Sequence, residues 1–280
     1  MNTTVILPAA GLGQRFASGG RASASKIEFE LAHKPVFLHT IEAFQGRSDV
    51  DQIIVAVNPD RLDEFSFRWA DKLDFMDVTL IPGGRADRWE TVKLALEHLG
   101  DSATHVAVHD AARPCVSRQL IDRVFAAAEH YDAAVPGLAM SDTVKRVADD
   151  ANRSAAPAPT DPLDDLLGTD VNALTAALRI AKTVDRSGLY RVQTPQVFER
   201  QLLCDAYAGL NAQTAVGITD DASVVELAGH AVYLVDGEAT NLKLTHATDA
   251  DLLEAVLQTR AQTQAKDDAV KQLFGDDDED

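Results

Sequence analysis

The sequence predicts a three-layer α/β sandwich with a mostly parallel sheet. Short β-branched runs alternate with amphipathic stretches along most of the chain. The short runs are continuously apolar rather than alternating, as in strands covered on both faces. At 280 residues, 46% hydrophobic and 25% charged, the chain can bury a core without staples. Its two cysteines, Cys115 and Cys204, exclude a disulfide framework and suit a reducing compartment.

The first expected strand is Thr3–Leu7, and an amphipathic helix follows at Pro35–Phe44, with Pro35 in the first turn, where its missing N–H is harmless. A strand at Gln52–Val57 leads to a helix at Asp60–Lys72, and a strand at Val78–Ile81 to a helix at Trp89–His98. The pattern repeats with a strand at His105–His109, a helix at Arg118–His130 and a strand at Ala133–Gly137. Then the rhythm breaks. Residues 149–165, DDANRSAAPAPTDPLDD, lack periodicity and read as an exposed loop, and Asn172–Ile180 as a short helix. A strand at Val232–Val235 and a helix at Thr248–Thr263 complete one domain over residues 1–262, and the acidic remainder, 263–280, reads as a disordered tail.

A net charge of −18 argues against nucleic acid or an anionic membrane as partner. No apolar run approaches the ~20 residues of a membrane span, and the opening MNTTVILPAAG has no basic leader pattern, so a soluble cytoplasmic protein is expected. An acidic protein that handles anions must gather its few cations locally, which gives weight to Arg and Lys within glycine-rich motifs.

Ligands in such sheets bind beyond the carboxyl ends of strands. The loop after the first strand, PAAGLGQR, offers Gly11 and Gly13 for close backbone approach to phosphate, with Arg15 as a fixed fork and Lys26 as a second cation. It lacks the third glycine of a dinucleotide fingerprint and the Gly-Lys-Ser/Thr of a Walker loop. In VHDAARP, Asp110 ends a strand and Arg113 follows three residues on; the pair suits a cation or hydroxyls and a phosphate, or else braces its own loop. His109 reads as packed, and Lys243 in NLKLT as a point cation for phosphate.

The first loop, Lys26 and KPVFLHTIEAF together resemble the N-terminal signature of the 2-C-methyl-D-erythritol 4-phosphate cytidylyltransferase family. GGRADRWETV, VHDAARPCVS, SDTVKR, TVDRSGLYRVQTPQVF, ITDDASVVE and GEATNLKLTHATD resemble further blocks in family order. The resemblance implies a Rossmann-like sandwich with a protruding dimerisation arm at about 140–190, interrupted here by an insertion at about 148–180. It implies CTP phosphates against Pro8, Ala9, Ala10, Gly11, Gly13 and Arg15, the base near Gly84, Arg88 and Thr91, and the ribose near Asp110 and Ala111. Arg15 and Lys26 are the implied catalytic cations. Arg113, Thr143, Arg186, Thr194, Thr219 and Lys243 would surround a small polyol phosphate. Mg²⁺ is the implied cofactor, held mainly by the CTP phosphates, with Asp110 the protein-side candidate. A homodimer would bring Thr143 and Arg186 to the neighbour's site.

Three departures stand out: Ser25-Lys26-Ile27 replaces the family's Pro-Lys-Gln; an extra residue leaves Arg85 or Arg88 as the family arginine, with Arg88 keeping the spacing to Thr91; and the arm is long. The alternatives are a ribitol 5-phosphate cytidylyltransferase of the same fold and a non-catalytic nucleotide-binding relative. A UTP- or GTP-dependent sugar nucleotidyltransferase is a weaker option, since it should lack the VHDAARP and TPQ blocks.

Overall fold

The structure is a computed structural model that describes residues 1–11, 16, 25–148, 154–155 and 176–274. The chain divides into two units, Met1–Leu138 with Val192–Asp280, and Ala139–Arg191.

The strands of the first unit's sheet are β1 (Thr3–Ala9), β2 (Val50–Val57), β3 (Val78–Pro82), β4 (His105–Val108), β5 (Ala133–Ala139), β6 (Gln196–Glu199) and β7 (Tyr233–Asp236). β1 lies between β2 and β4, parallel to both, and β3 continues the parallel run beyond β2. β6 is antiparallel to both β4 and β5, and β7 runs parallel beside β5. The helices are α1 (Val36–Phe44), α2 (Leu62–Phe75), α3 (Arg88–Leu96), α4 (Arg118–Ala128), α5 (Arg200–Ala208), α6 (Asp221–Leu227) and α7 (Asp249–Phe274).

Strand alternation explains the three layers. Val5, Leu7, Val55 and Val57 pack with Phe37 and Ile41 of α1, Phe65 of α2 and Leu120 and Val124 of α4. Ile6, Ile54, Ala56, Val106 and Val108 point the other way, onto Val92 of α3, Leu203 and Tyr207 of α5 and Val225 of α6. Both faces are apolar because both are covered, each large aliphatic side chain contributing roughly 1.5–3 kcal/mol by burial. The sheet, the flanking helices and the mostly parallel order agree with the expected fold class.

Several expectations need correction. Pro35 caps α1 from a two-residue strand instead of entering its first turn. β6, α5 and α6 were not expected as elements. Of the expected helix Asn172–Ile180, Ala176–Ala177 instead bridge antiparallel to Ser154–Ala155, and a strand starts at Ile180. That bridge also gives the expected loop 149–165 a paired segment; its other residues lie outside the described ones. The final helix continues to Phe274, past the expected end at Thr263 and into the segment read as a tail; 275–280 lie outside the described residues. Among the described residues no helix is long and apolar enough to cross a membrane.

The second unit contains an antiparallel ribbon of Val144–Val147 and Ile180–Val184, with Val184 opposite Val144.

Candidate active site

Parallel register aligns three strand ends. Ala9 of β1 sits beside Val57 of β2, which sits beside Pro82 of β3, while Ile6 of β1 faces Val108 of β4. The loops that follow, Ala10–Gly11, Gly83–Gly84 and His109–Asp110, therefore leave the sheet at one edge. There they enclose a cleft of about 250 Å³. Pro8, Ala9, Ala10, Gly11, Lys26, Gly84, Arg88, Thr91, Asp110, Ala111 and Lys243 line it, so one cavity gathers most of the expected nucleotide contacts.

The Gly83–Gly84 wall requires glycine. A Cβ on Gly83 would lie 2.8 Å from the Thr91 methyl and 2.9 Å from the Ala10 methyl, and one on Gly84 only 2.4 Å from Glu90 Cβ. The Gly84 N–H donates to the buried Thr91 hydroxyl oxygen at 3.0 Å, which leaves that hydroxyl's own proton to donate elsewhere. Glu90 secures the start of α3 by accepting from the Ala86 N–H at 3.0 Å and the Asp87 N–H at 3.4 Å.

Asp110 is the hub. Its Oδ2 meets Lys243 Nζ at 2.8 Å and Arg113 Nε at 3.2 Å, and its Oδ1 lies 3.6 Å from Arg88 Nε. Burial alone would raise its pKa, but Lys243, Arg88 and Arg113 together hold it far below the usual carboxylate range. Lys243 comes from an irregular loop pinned here by the Leu244 N–H donating to the Ala112 carbonyl at 2.8 Å. Thr40 of α1 fixes the other side, its hydroxyl donating to the Ala111 carbonyl at 3.1 Å.

Both candidate arginines line the cleft but are held differently. Arg85 is exposed and paired with exposed Asp60. Arg88 is more buried, and Asp221 accepts from its Nη2 at 2.7 Å. Burial alone would lower its pKa, but Asp221 and Asp110 raise it beyond the usual guanidinium value. Asp221 is itself fully buried and accepts from the Tyr207 hydroxyl at 2.7 Å. Gln196 fixes the start of α6, its side-chain oxygen accepting from the Asp221 and Ala222 N–H groups, both at 3.0 Å. Asp221, Tyr207 and Gln196 escaped the sequence reading as site residues; the only signal was the Asp220-Asp221 pair at a helix start.

Behind Asp110 runs a buried chain of hydrogen bonds. The Asp110 N–H donates to Thr194 Oγ1 at 3.1 Å, and Thr194 Oγ1 lies 3.1 Å from His109 Nδ1. His109 Nε2 is 3.2 Å from the Arg113 carbonyl, which can only accept, so Nε2 carries the proton and Nδ1 accepts from Thr194. Burial lowers the His109 pKa to about 4. The expected packed histidine is thus packed and neutral. Thr194, expected around the polyol, is buried and accepts from the Asp110 N–H. Arg113, expected to receive phosphate, is engaged with Asp110 and donates to the Asn241 carbonyl at 2.7 Å.

Thr219 is exposed in the loop before α6 and does not line the cleft. Thr143 and Arg186 lie in the second unit at one end of its ribbon, where Arg186 donates to the Ser141 carbonyl. Gly13 and Arg15 lie outside the described residues. Ser25 has φ −56° and ψ 138°, a conformation that a proline would also adopt, so the family's proline is not required for this backbone.

Asp110 does not fit as a magnesium ligand. A divalent ion there would meet three cationic side chains already on its oxygens, and among the described residues no cluster of three His, Cys, Asp or Glu side chains forms a metal site.

A family profile described as 2-C-methyl-D-erythritol 4-phosphate cytidylyltransferase matches residues 3–160 and 151–259. A curated protein of that name from Rhodopirellula baltica is 36% identical over 267 residues, covering 91% of this chain and 95% of its own. One from Bacillus licheniformis is 32% identical over 258 residues, covering 92% and 96%. The crystal structure of the Thermus thermophilus protein of that name superposes with a TM-score of 0.66 at 29% identity, covering 92% of this chain and 100% of that one. Profile, sequence and fold converge, and the chain belongs to the 2-C-methyl-D-erythritol 4-phosphate cytidylyltransferase family.

Proposed function

We propose that this chain transfers the cytidylyl group of CTP to 2-C-methyl-D-erythritol 4-phosphate, releasing pyrophosphate, as a step in isoprenoid precursor synthesis. The observation that carries this reading is the meeting of a glycine-walled strand edge with Lys26, Arg88 and Lys243 in one cleft. An acceptor phosphate oxygen attacks the α-phosphorus in line; the new O–P bond forms as the bond to the β-phosphate oxygen breaks. The nucleophile is already anionic and needs no base, so the chain's work is positioning and charge stabilisation.

Backbone groups of Ala9, Ala10 and Gly11, with Gly13 and Arg15 of the same loop, take the triphosphate. Gly84, Arg88 and Thr91 face the base, Asp110 and Ala111 the ribose, and Lys26 and Arg15 the pentacoordinate phosphorus. Lys243 meets the acceptor phosphate. Magnesium brought in with CTP would supply neutralisation of charge on the leaving pyrophosphate, and no side chain of the cleft is assigned to hold it.

The enzyme works as a cytoplasmic homodimer in which Thr143 and Arg186 of the arm complete the neighbour's acceptor site. Leu178, Ile180, Leu189 and Tyr190 support this reading, because they leave an apolar surface exposed within the arm.

Steady-state pyrophosphate release with CTP and each of two acceptors tests the assignment. A higher kcat/KM with ribitol 5-phosphate than with the methylerythritol phosphate would overturn it, as would full activity in Lys26→Ala.

A further inference from the structure

We infer that Glu28 is a positioning residue that sets the place of Lys26 in the cleft. This rests on Lys26 acting there as proposed above. Lys26 and Glu28 share a single 3₁₀ turn, Lys26–Glu28, closed by the Glu28 N–H donating to the Ser25 carbonyl at 2.8 Å. Lys26 lines the cleft, whereas the Glu28 side chain is turned away and is only 3% exposed.

The Glu28 carboxylate is held by three donors. Oε1 accepts from Arg68 Nη1 at 2.5 Å and from Trp69 Nε1 at 3.1 Å, and Oε2 from Arg61 Nη2 at 3.2 Å. Arg68 and Trp69 belong to α2, and Arg61 immediately precedes it. Their places are fixed independently. Arg61 and Arg68 also pair with Glu64, and the Trp69 ring meets Phe37 of α1 edge-on at 5.3 Å. The turn is therefore fastened to a core helix by a residue two positions from the cleft lysine, through groups that do not themselves line the cleft.

An apolar side chain would cover the same face of α2 without the desolvation penalty of a buried carboxylate. What the carboxylate adds is direction: three donors converging from different angles define one position for the turn. A catalytic lysine displaced by about 1 Å loses on the order of tenfold to a hundredfold in rate. Ile27, between the two, is apolar and buried and offers the turn no polar anchor of its own.

The test compares Glu28→Gln, Arg68→Gln and Trp69→Phe with the parent enzyme on CTP and 2-C-methyl-D-erythritol 4-phosphate, with a melting curve for each. Glu28→Gln is expected to lower kcat about tenfold while KM for CTP moves less than about twofold, because Lys26 acts on the transition state rather than on ground-state binding. Combined with Lys26→Ala, it is expected to add no further loss. Lower Tm with unchanged kcat, or an equal loss in the Lys26→Ala background, overturns the proposal. If Glu28→Gln does not fold, the other two variants decide: reduced kcat in both supports the role, and unchanged kcat in both overturns it. Full activity in Lys26→Ala sinks the functional reading as well; a crippled Lys26→Ala beside an unaffected Glu28→Gln removes only the positioning role.

Discussion

Acidification should destabilise this protein through His109 well before its carboxylates titrate. The ring is fully buried and neutral, with a pKa near 4 against 6.5 for an ordinary histidine. Between those values the unfolded chain binds the proton and the folded chain does not, so stability is intact above pH 6.5 and falls as pH falls toward 4. At pH 5 the unfolded state gains about 1.5 pH units' worth of protonation free energy at this site, or about 2 kcal/mol, and at pH 4 about 3 kcal/mol. His105, half-buried and also shifted down mainly by burial, adds a term of the same sign, so the contribution must be isolated by difference. Urea unfolding at pH 7.5 and 5.0 should show the parent losing about 2 kcal/mol more than His109→Gln across that interval. Ring NMR should independently show no titration midpoint above pH 5 for His109. Parallel pH slopes in the two proteins, or a His109 midpoint near 6.5, would refute the account of a neutral imidazole between Thr194 and the Arg113 carbonyl.

Asp221→Asn should cost about 3–5 kcal/mol in urea unfolding and raise KM for CTP, since it removes the charge that holds buried Arg88; unchanged KM would detach Asp221 from the cleft. Tyr207→Phe should cost about 1–3 kcal/mol by leaving Asp221 short of a donor, with a smaller kinetic effect; an undiminished ΔG would show that water replaces the hydroxyl. Gly84→Ala should weaken CTP binding at least about tenfold, because its methyl must displace Glu90 and the start of α3; calorimetry at parent affinity would show that the wall yields. Burial pushes the Cys115 thiol up to about 11, so alkylation at pH 8 should mark Cys204 first and Cys115 only on unfolding; mass mapping with the opposite order would contradict the packing around Cys115.

The parallel half of the fold was legible because its signal is local. Continuous apolar strands such as Ile53–Val57 and helices with one apolar stripe such as Arg118–Ala128 carry their period within a few residues. β6 was not legible, since Gln196–Glu199 is four residues long and alternates between two buried faces only after insertion between β4 and β5. The cleft loops were legible for the same local reason: glycines and a terminal carboxylate sit just after strands. Their partners were not. Asp221 meets Arg88 across 133 positions of sequence and Thr194 meets Asp110 across 84, and no local pattern marks such pairs. The likeness to a family pointed to Thr194 but not to its hydrogen bond with the Asp110 N–H, because a buried brace and a ligand contact look alike in sequence.

The acidic composition and the cationic cleft follow from one electrostatic arrangement. In a chain of net charge −18, a lysine or arginine left on the surface is screened within about 8–10 Å and competes with many nearby carboxylates for its direction. Here Arg88 and Lys243 are held on the buried acids Asp110 and Asp221, with Arg113 closing that cluster. Within the cluster three positive and two negative groups leave a net charge of only +1, to which Lys26 adds on the cleft wall. In the proposed roles the base meets Arg88 and the acceptor phosphate meets Lys243, both already aimed by the acids that hold them. This pairing limits repulsion among the cations and keeps them directed at the strand edge. It also predicts weak salt dependence. Raising ionic strength from about 50 to about 300 mM should change KM for CTP less in the parent than in Asp221→Asn, where Arg88 loses its nearest acid. Equal salt slopes would show that the acids merely balance charge and do not direct it.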